Sequence, residues 1–343
     1  TTKFENYDKK EDYDENKDYY VEFESKTENI DLSNLNLASN QFIKLKDQSS
    51  IQIGNEENQV NIISDTPDSS LTVNTGDNEN VKMSIKNREN YKVILDSSKE
   101  NININSKSEV YGKLTFELSG NVKSTVIDSV NLHGDRSGVE SSNADKTVTI
   151  KNIVAHSRAN SNLKNIEISS KLTVSQLSSV KLENVKLKDA NVDFALKSYD
   201  IDKFDNPLIQ GNLGEPPKEL ILSSTANDSP KENTNYMIVK GSFNQGGCDQ
   251  WLNNLKLESS KFNEKFCKAS DKLSVLDGEN MAIYARYKPP KSDRNGLGTS
   301  GIIGIVVACV VVVVVVVVVV ILVIKKKKKN ESDEENDNEA PDL

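Results

Sequence analysis

Two groups of residues have the types and spacing to do chemistry. Asp135 stands beside His133 and Arg136, and Asp189 precedes Asp193 by four positions. Paired carboxyls are what glycoside hydrolysis requires, one to protonate the leaving oxygen and one to activate water, at about 6.5–9.5 Å in an inverting enzyme. Parallel β-helices often host such pairs in a long groove, so a membrane-anchored carbohydrate-active enzyme of β-helix type is one reading. In a chain this acidic, however, such pairs are also ordinary solvated turn residues. No GxSxG elbow, HExxH pair, phosphate-cradling glycine loop or calcium-binding GGxGxD repeat occurs. The expectation is therefore no catalytic residue, no cofactor and no metal.

The chain has three cysteines, and Cys309 lies inside an apolar run. Cys248 and Cys267 are left as a pair, expected to form a disulfide that closes a loop of about 20 residues and contributes on the order of 3 kcal/mol. Zinc would need more cysteines or nearby histidines, and the only histidines, His133 and His156, lie far from that pair in sequence. The one N-glycosylation sequon ahead of the apolar run is Asn227-Asp228-Ser229, weakened by Pro230, so the exterior is expected to present mostly bare polypeptide.

These residues must be positioned by a chain whose topology follows from Ile302 to Ile324. That run is apolar apart from Gly304, holds an unbroken valine tract from Val310 to Val320, and ends at Lys325, Lys326, Lys327, Lys328 and Lys329. A helix over it would be roughly 34 Å long, enough to cross a hydrocarbon core of about 30 Å. Clustered lysines beside a span stay on the cytoplasmic side. The reading is a type I single-pass protein of the plasma membrane, with residues 1–301 outside, 302–324 as the transmembrane helix and 325–343 as a cytoplasmic tail. Such a topology calls for a signal peptide, and the chain opens Thr1-Thr2-Lys3, so a mature form or a fragment is expected. Ser300, Gly304 and Ala308 recur every four residues, a small-residue face suited to weak homodimerisation. Cys309 sits in the outer half of the span, away from easy palmitoylation.

Net charge is −9, and the tail beyond the lysines holds seven acids and no base. The remainder is acidic too, which argues against nucleic acid as a partner because phosphate demands a cationic footprint. Hydrophobic residues make up 36% of the chain, and the apolar run claims many of them. The fold must need only a narrow apolar interior.

Along the chain, residues 1–29 are a charged lead dotted with Tyr7, Tyr13, Tyr19 and Tyr20, expected as a disordered arm or loose cap. From Ile30 the texture changes to short alternating runs, among them Ile51 and Ile53; Leu71 and Val73; Val81, Met83 and Ile85; Ile102 and Ile104; and Leu114, Phe116 and Leu118. Alternation at period two signals strands, and no helical period appears before residue 248. From Leu163 to Leu196 the units LxxIxI and LxxVxLxxVxL are those of stacked solenoid coils of about 20 to 25 residues, eight or nine of them across residues 30–224. An immunoglobulin-like sandwich would want a Cys…Trp…Cys signature, which is missing there; a twisted open sheet is the other alternative.

After the break at Gly214-Glu215-Pro216-Pro217, residues 225–287 are expected as a cap module. It would comprise a strand at Tyr236–Phe243, a helical piece carrying Leu252, Leu255, Phe262 and Phe266, strands at Leu273–Leu276 and Met281–Tyr287, and Trp251 plugging the solenoid end against the disulfide. Residues 288–301 read as a flexible stalk.

The LxxVxL strands, the segment MIVKGSFNQGGCDQW from Met237 to Trp251 and the ending from Gly301 to Asp337 together resemble large families of single-pass surface proteins of parasitic protists. That resemblance implies a β-helix or leucine-rich-repeat-like ectodomain, a Val- or Ile-rich anchor, a Lys-then-acidic tail, and adhesion to host cells or surfaces. The combined expectation is an all-β solenoid of the parallel β-helix type with a disulfide-bearing C-terminal cap and one transmembrane helix. Its partners would be membrane lipid through the span and a protein or glycan ligand at the surface.

Overall fold

The computed structural model describes residues 18–23, 26, 28–143, 145–156, 158–175, 178–193, 208–223, 232–243, 247–258, 262–269 and 280–289. Its strands and its helix all belong to the unit Thr1–Lys288. Strands alternate between two 12-stranded sheets, and most pair in parallel with the strand next but one in sequence. That connectivity is a solenoid. Gln59 lies opposite Lys82, and Ser124 lies between Asn101 and Thr147. Asn103 reaches back 23 residues to bond Asn80, which measures one coil.

Period-two alternation produces this because it gives every strand one apolar face, and the coil length places like residues above one another. Val81, Ile104, Ile127, Ile150, Ile168 and Leu187 form one stacked column. Leu114, Val139, Leu163 and Leu182 form another in the second sheet. All ten are buried, each worth roughly 1.5–3 kcal/mol of apolar burial. The longer strands bend midway. In Ser124–Leu132, inward Thr125 and Ile127 are followed by Val130 and Leu132, so the alternation skips a residue at Asp128–Ser129, where the register also shifts. Corners bury small hydroxyls that satisfy one another, as in Thr75 to Ser97 at 2.8 Å and Ser137 with Ser161 at 2.7 Å.

Both ends depart from the expected boundaries. The strand Tyr19–Glu22 already pairs with Gln41–Lys44, so the ladder begins inside the charged lead rather than at Ile30. Lys44 makes this possible: it lies 3.3 Å from Glu22 and 3.0 Å from Asp65, with its ammonium 5.5 Å from the Tyr20 ring centroid. At the other end the parallel ladder continues past residue 224, through Asn235–Phe243 in one sheet and Leu255–Leu257 in the other. It closes where Asn280–Arg286 pairs antiparallel with Asn235–Phe243 and then with Glu264–Ala269.

The helix of the cap is shorter than expected. It spans Gly247–Asn254, while Leu255 begins a strand, Phe262 lies in a connecting segment and Phe266 is on the antiparallel strand Glu264–Ala269. Lys265 ends it, its Nζ donating to the carbonyls of Leu252, at 2.7 Å, and Leu255. A cation there suits the negative end of a helix. Cys248 and Cys267 are bridged, Cα to Cα 6.2 Å. Trp251 is 2% exposed, packs edge-on to Phe243 and donates its Nε1–H to the Gly214 carbonyl at 3.3 Å.

The run 302–324, with Ile302, Gly304, Val310, Val320 and Ile324, lies outside the described residues, as do Ser300, Ala308, Cys309, Lys325–Lys329, Asn227 and the expected strand Leu273–Leu276. Among the described residues no helix is long and apolar enough to cross a membrane.

Candidate functional site

The acidic groups of the first reading are not brought together. Asp135 and Arg136 are exposed in a corner turn that follows Gly134 at φ 77°. His133 turns away from them, its Nε2 lying 2.5 Å from Glu109 of the preceding coil. Asp189 and Asp193 share one strand, and four residues at about 3.3 Å each put their Cα atoms roughly 13 Å apart, beyond an inverting pair.

The structure instead assembles a column that the acid-centred reading misses. The amides of Tyr111, His133 and His156 donate to the carbonyls of Asn87, Val110 and Leu132 respectively, so the three occupy one corner in successive coils. Their rings stack, with centroids 4.7 Å and 4.5 Å apart. Glu109 also accepts from Asn131 at 2.7 Å and lies 3.6 Å from Lys107. Burial pushes the Glu109 carboxyl up, but hydrogen bonds from His133 and Asn131 outweigh it and hold the group below its ordinary value. Burial, reinforced by the neighbouring His133, lowers the pKa of His156, whose Nε2 has no partner among the described residues. The signal was in the sequence: Tyr111, His133 and His156 recur at the coil length.

This column is not a metal centre in form. Ring lone pairs lie in the ring planes, and planes tilted by only 4° direct them side by side rather than onto a common point. Among the described residues, no group of three or more His, Cys, Asp or Glu could hold a metal ion.

Among the described residues, several outward side chains pair from coil to coil. Lys123 reaches Glu100 at 2.6 Å, Lys151 reaches Asp128 at 2.5 Å, and Lys113 reaches Glu140 at 3.0 Å. Neutral rows do the same, with Asn103 donating to Asn80 at 2.9 Å and Ser124 to Asn101 at 2.6 Å. Single exposed pairs contribute little to stability, but repeated along the ladder they fix side chains in rows. No protein-family model, no curated protein and no solved structure matches this chain.

Proposed function

We propose that this chain is a type I single-pass cell-surface protein whose solenoid presents an extended contact surface, with adhesion to a protein or glycan as its task. The observation that carries this reading is the set of cross-coil rows, such as Asn103 on Asn80 and Lys151 on Asp128, which hold polar side chains at fixed spacing over an elongated exterior. Repeat proteins use such surfaces to engage partners. Anchorage rests on the apolar run at 302–324 and its five lysines. The Ser300, Gly304 and Ala308 face would pair two such spans weakly.

The test displays the full chain on cultured cells. Protease added outside intact cells should digest the solenoid and spare the tail, and the cells should bind a glycan or cell-surface array without turnover. A tail cut while the solenoid survives would overturn the topology. Release of reducing sugar, lost in Asp135→Ala, would overturn adhesion in favour of glycan cleavage.

A further inference from the structure

The two ends of the ladder are finished differently. The far end closes on antiparallel strands and a disulfide, whereas one sheet begins at the bare strand Tyr19–Glu22, paired on one side only, with Gln41–Lys44. The amides of Tyr19 and Phe23 donate to the carbonyls of Asn40 and Lys44 at 2.8 and 2.9 Å. Alternation along the strand therefore turns the N–H and C=O of Tyr20 and Glu22 away from the ladder. Among the described residues those groups have no main-chain partner.

This edge is apolar as well as open. Tyr20 is 54% exposed and Val21 44%, two of the three exposed large hydrophobic side chains among the described residues. Val21 heads an inward column whose next members, Ile43, Ile62 and Ile85, are all buried. The apolar interior thus runs out through the end. Lysine, proline and bulges, the devices that blunt a sheet edge, do not occur in Tyr-Tyr-Val-Glu. Asp18, the residue before the strand, is not laid across the edge either, for its carboxylate is held by Lys86, three rungs further into the ladder.

Charge and symmetry say what fits. Glu22 lies 3.3 Å from Lys44 and 3.9 Å from Lys46, Asp18 is paired with Lys86, and Lys26 is 3.5 Å from Glu28. With these acids and bases already matched, the edge selects neither a cationic nor an anionic partner. Its geometry is self-complementary instead. A two-fold axis through Val21, normal to the sheet, sets Tyr20 opposite Glu22 of a second copy and Glu22 opposite its Tyr20, both as hydrogen-bonded pairs. The two Val21 side chains then meet on the axis, Cα atoms about 4.5 Å apart, and inner face adjoins inner face.

We propose that this end is a homodimer contact, through which two copies of the chain join head to head by antiparallel pairing of Tyr19–Glu22. Four main-chain hydrogen bonds and the burial of Tyr20 and Val21 hold it. The contact is small, so the dimer is reversible. It depends neither on the adhesive reading nor on the membrane topology, and it is distinct from the Ser300, Gly304 and Ala308 face.

The experiment uses the full chain in detergent, carrying Gly304→Leu so that the small-residue face of the span contributes nothing. Sedimentation equilibrium should show a dimer that grows with concentration. Val21→Lys, which sets two ammonium groups against each other on the axis, should weaken it at least tenfold. Tyr20→Pro should do the same, because it removes an outward N–H while the bonds to Gln41–Lys44 remain. Exchange at the Tyr20 and Glu22 amides should slow at least tenfold as concentration rises, while that of Val21, already bonded within the ladder, stays constant. Under mild oxidation Val21→Cys should form a linked dimer at least tenfold faster than Lys26→Cys, exposed at the same end but off the edge, with Cys309 giving both the same background. A monomer at every concentration would overturn the proposal. So would a dimer indifferent to Val21→Lys, or Tyr20 and Glu22 amides equally protected at every concentration, which would mean that the chain closes this edge itself.

Discussion

From Asn80 to Glu183 each coil rests on a near copy of itself, whereas from Gly211 to Arg286 the parallel ladder thins to a few short rungs and closes on antiparallel strands. The column Leu114, Val139, Leu163 and Leu182 shows the change, for its next two members are Gly211 and Gly241. A Cβ on Gly241 would lie 2.0 Å from the Gly211 carbonyl, and Gly211 itself has φ 127°. Backbones pass here where side chains interlock below. With that one column interrupted, the end adds single devices to its remaining apolar rungs, such as Leu220 on Leu255: the disulfide, Trp251, the Lys265 cap and an antiparallel hairpin. Repetition stabilises the middle cooperatively between neighbours, while the end depends on a few irreplaceable contacts.

Breaking that contrast should begin in the middle. Phe116, 1% exposed, should cost roughly 3–5 kcal/mol when changed to alanine; urea unfolding measures this, and hydrogen exchange should rise across the flanking coils. Reducing Cys248–Cys267, or Cys248→Ser, should cost about 3 kcal/mol. Exchange should then rise over 208–289 while Asn101–Ala155 stays protected. Equal loosening of both regions would show that the end is not a separate device.

How much was legible in the sequence divides along the same line. Val81, Met83, Ile85 and the runs after them declared their strands because the buried face is apolar and the outer face polar. The solenoid followed from their recurrence. Residues that close a structure once left no period to detect. Leu252, Leu255, Phe262 and Phe266 suggested one helix, yet apolar residues packing around a disulfide need share no element, and three of the four lie elsewhere. Corner residues were equally opaque: the Asp128–Ser129 bend looks like any polar turn, and Glu109, a lone acid in a strand, gave no hint of His133. Pro216-Pro217 was visible as a break, but that the ladder resumes directly after it, with Lys218 bonding Lys188, emerges only when the coils are superposed.

Gly241→Ala sharpens the comparison from the other side. It should lose about 1–3 kcal/mol through overpacking, read as a lower urea midpoint, although alanine is the better residue in most strands. Acid should act on the middle instead. His156 binds its proton more weakly folded than unfolded, so the unfolded chain takes up more protons as pH falls below about 6.5, and stability declines over that window. Glu109, held low, adds a second loss that begins as pH falls below the ordinary carboxyl value of about 4.5 and is complete once pH has passed its own depressed value. The thermal midpoint should therefore drop in two steps, the first smaller than either core substitution and absent in His156→Gln.

Pulled by its two ends, a ladder whose hydrogen bonds run along its length opens one rung at a time rather than all together. Each rung frees some 23 residues, or about 80 Å of extended chain. The middle coils would thus pay out slack in even steps under load, a row of small, repeatable yields, while the region closed by Cys248–Cys267 would keep its covalent loop shut until reduced.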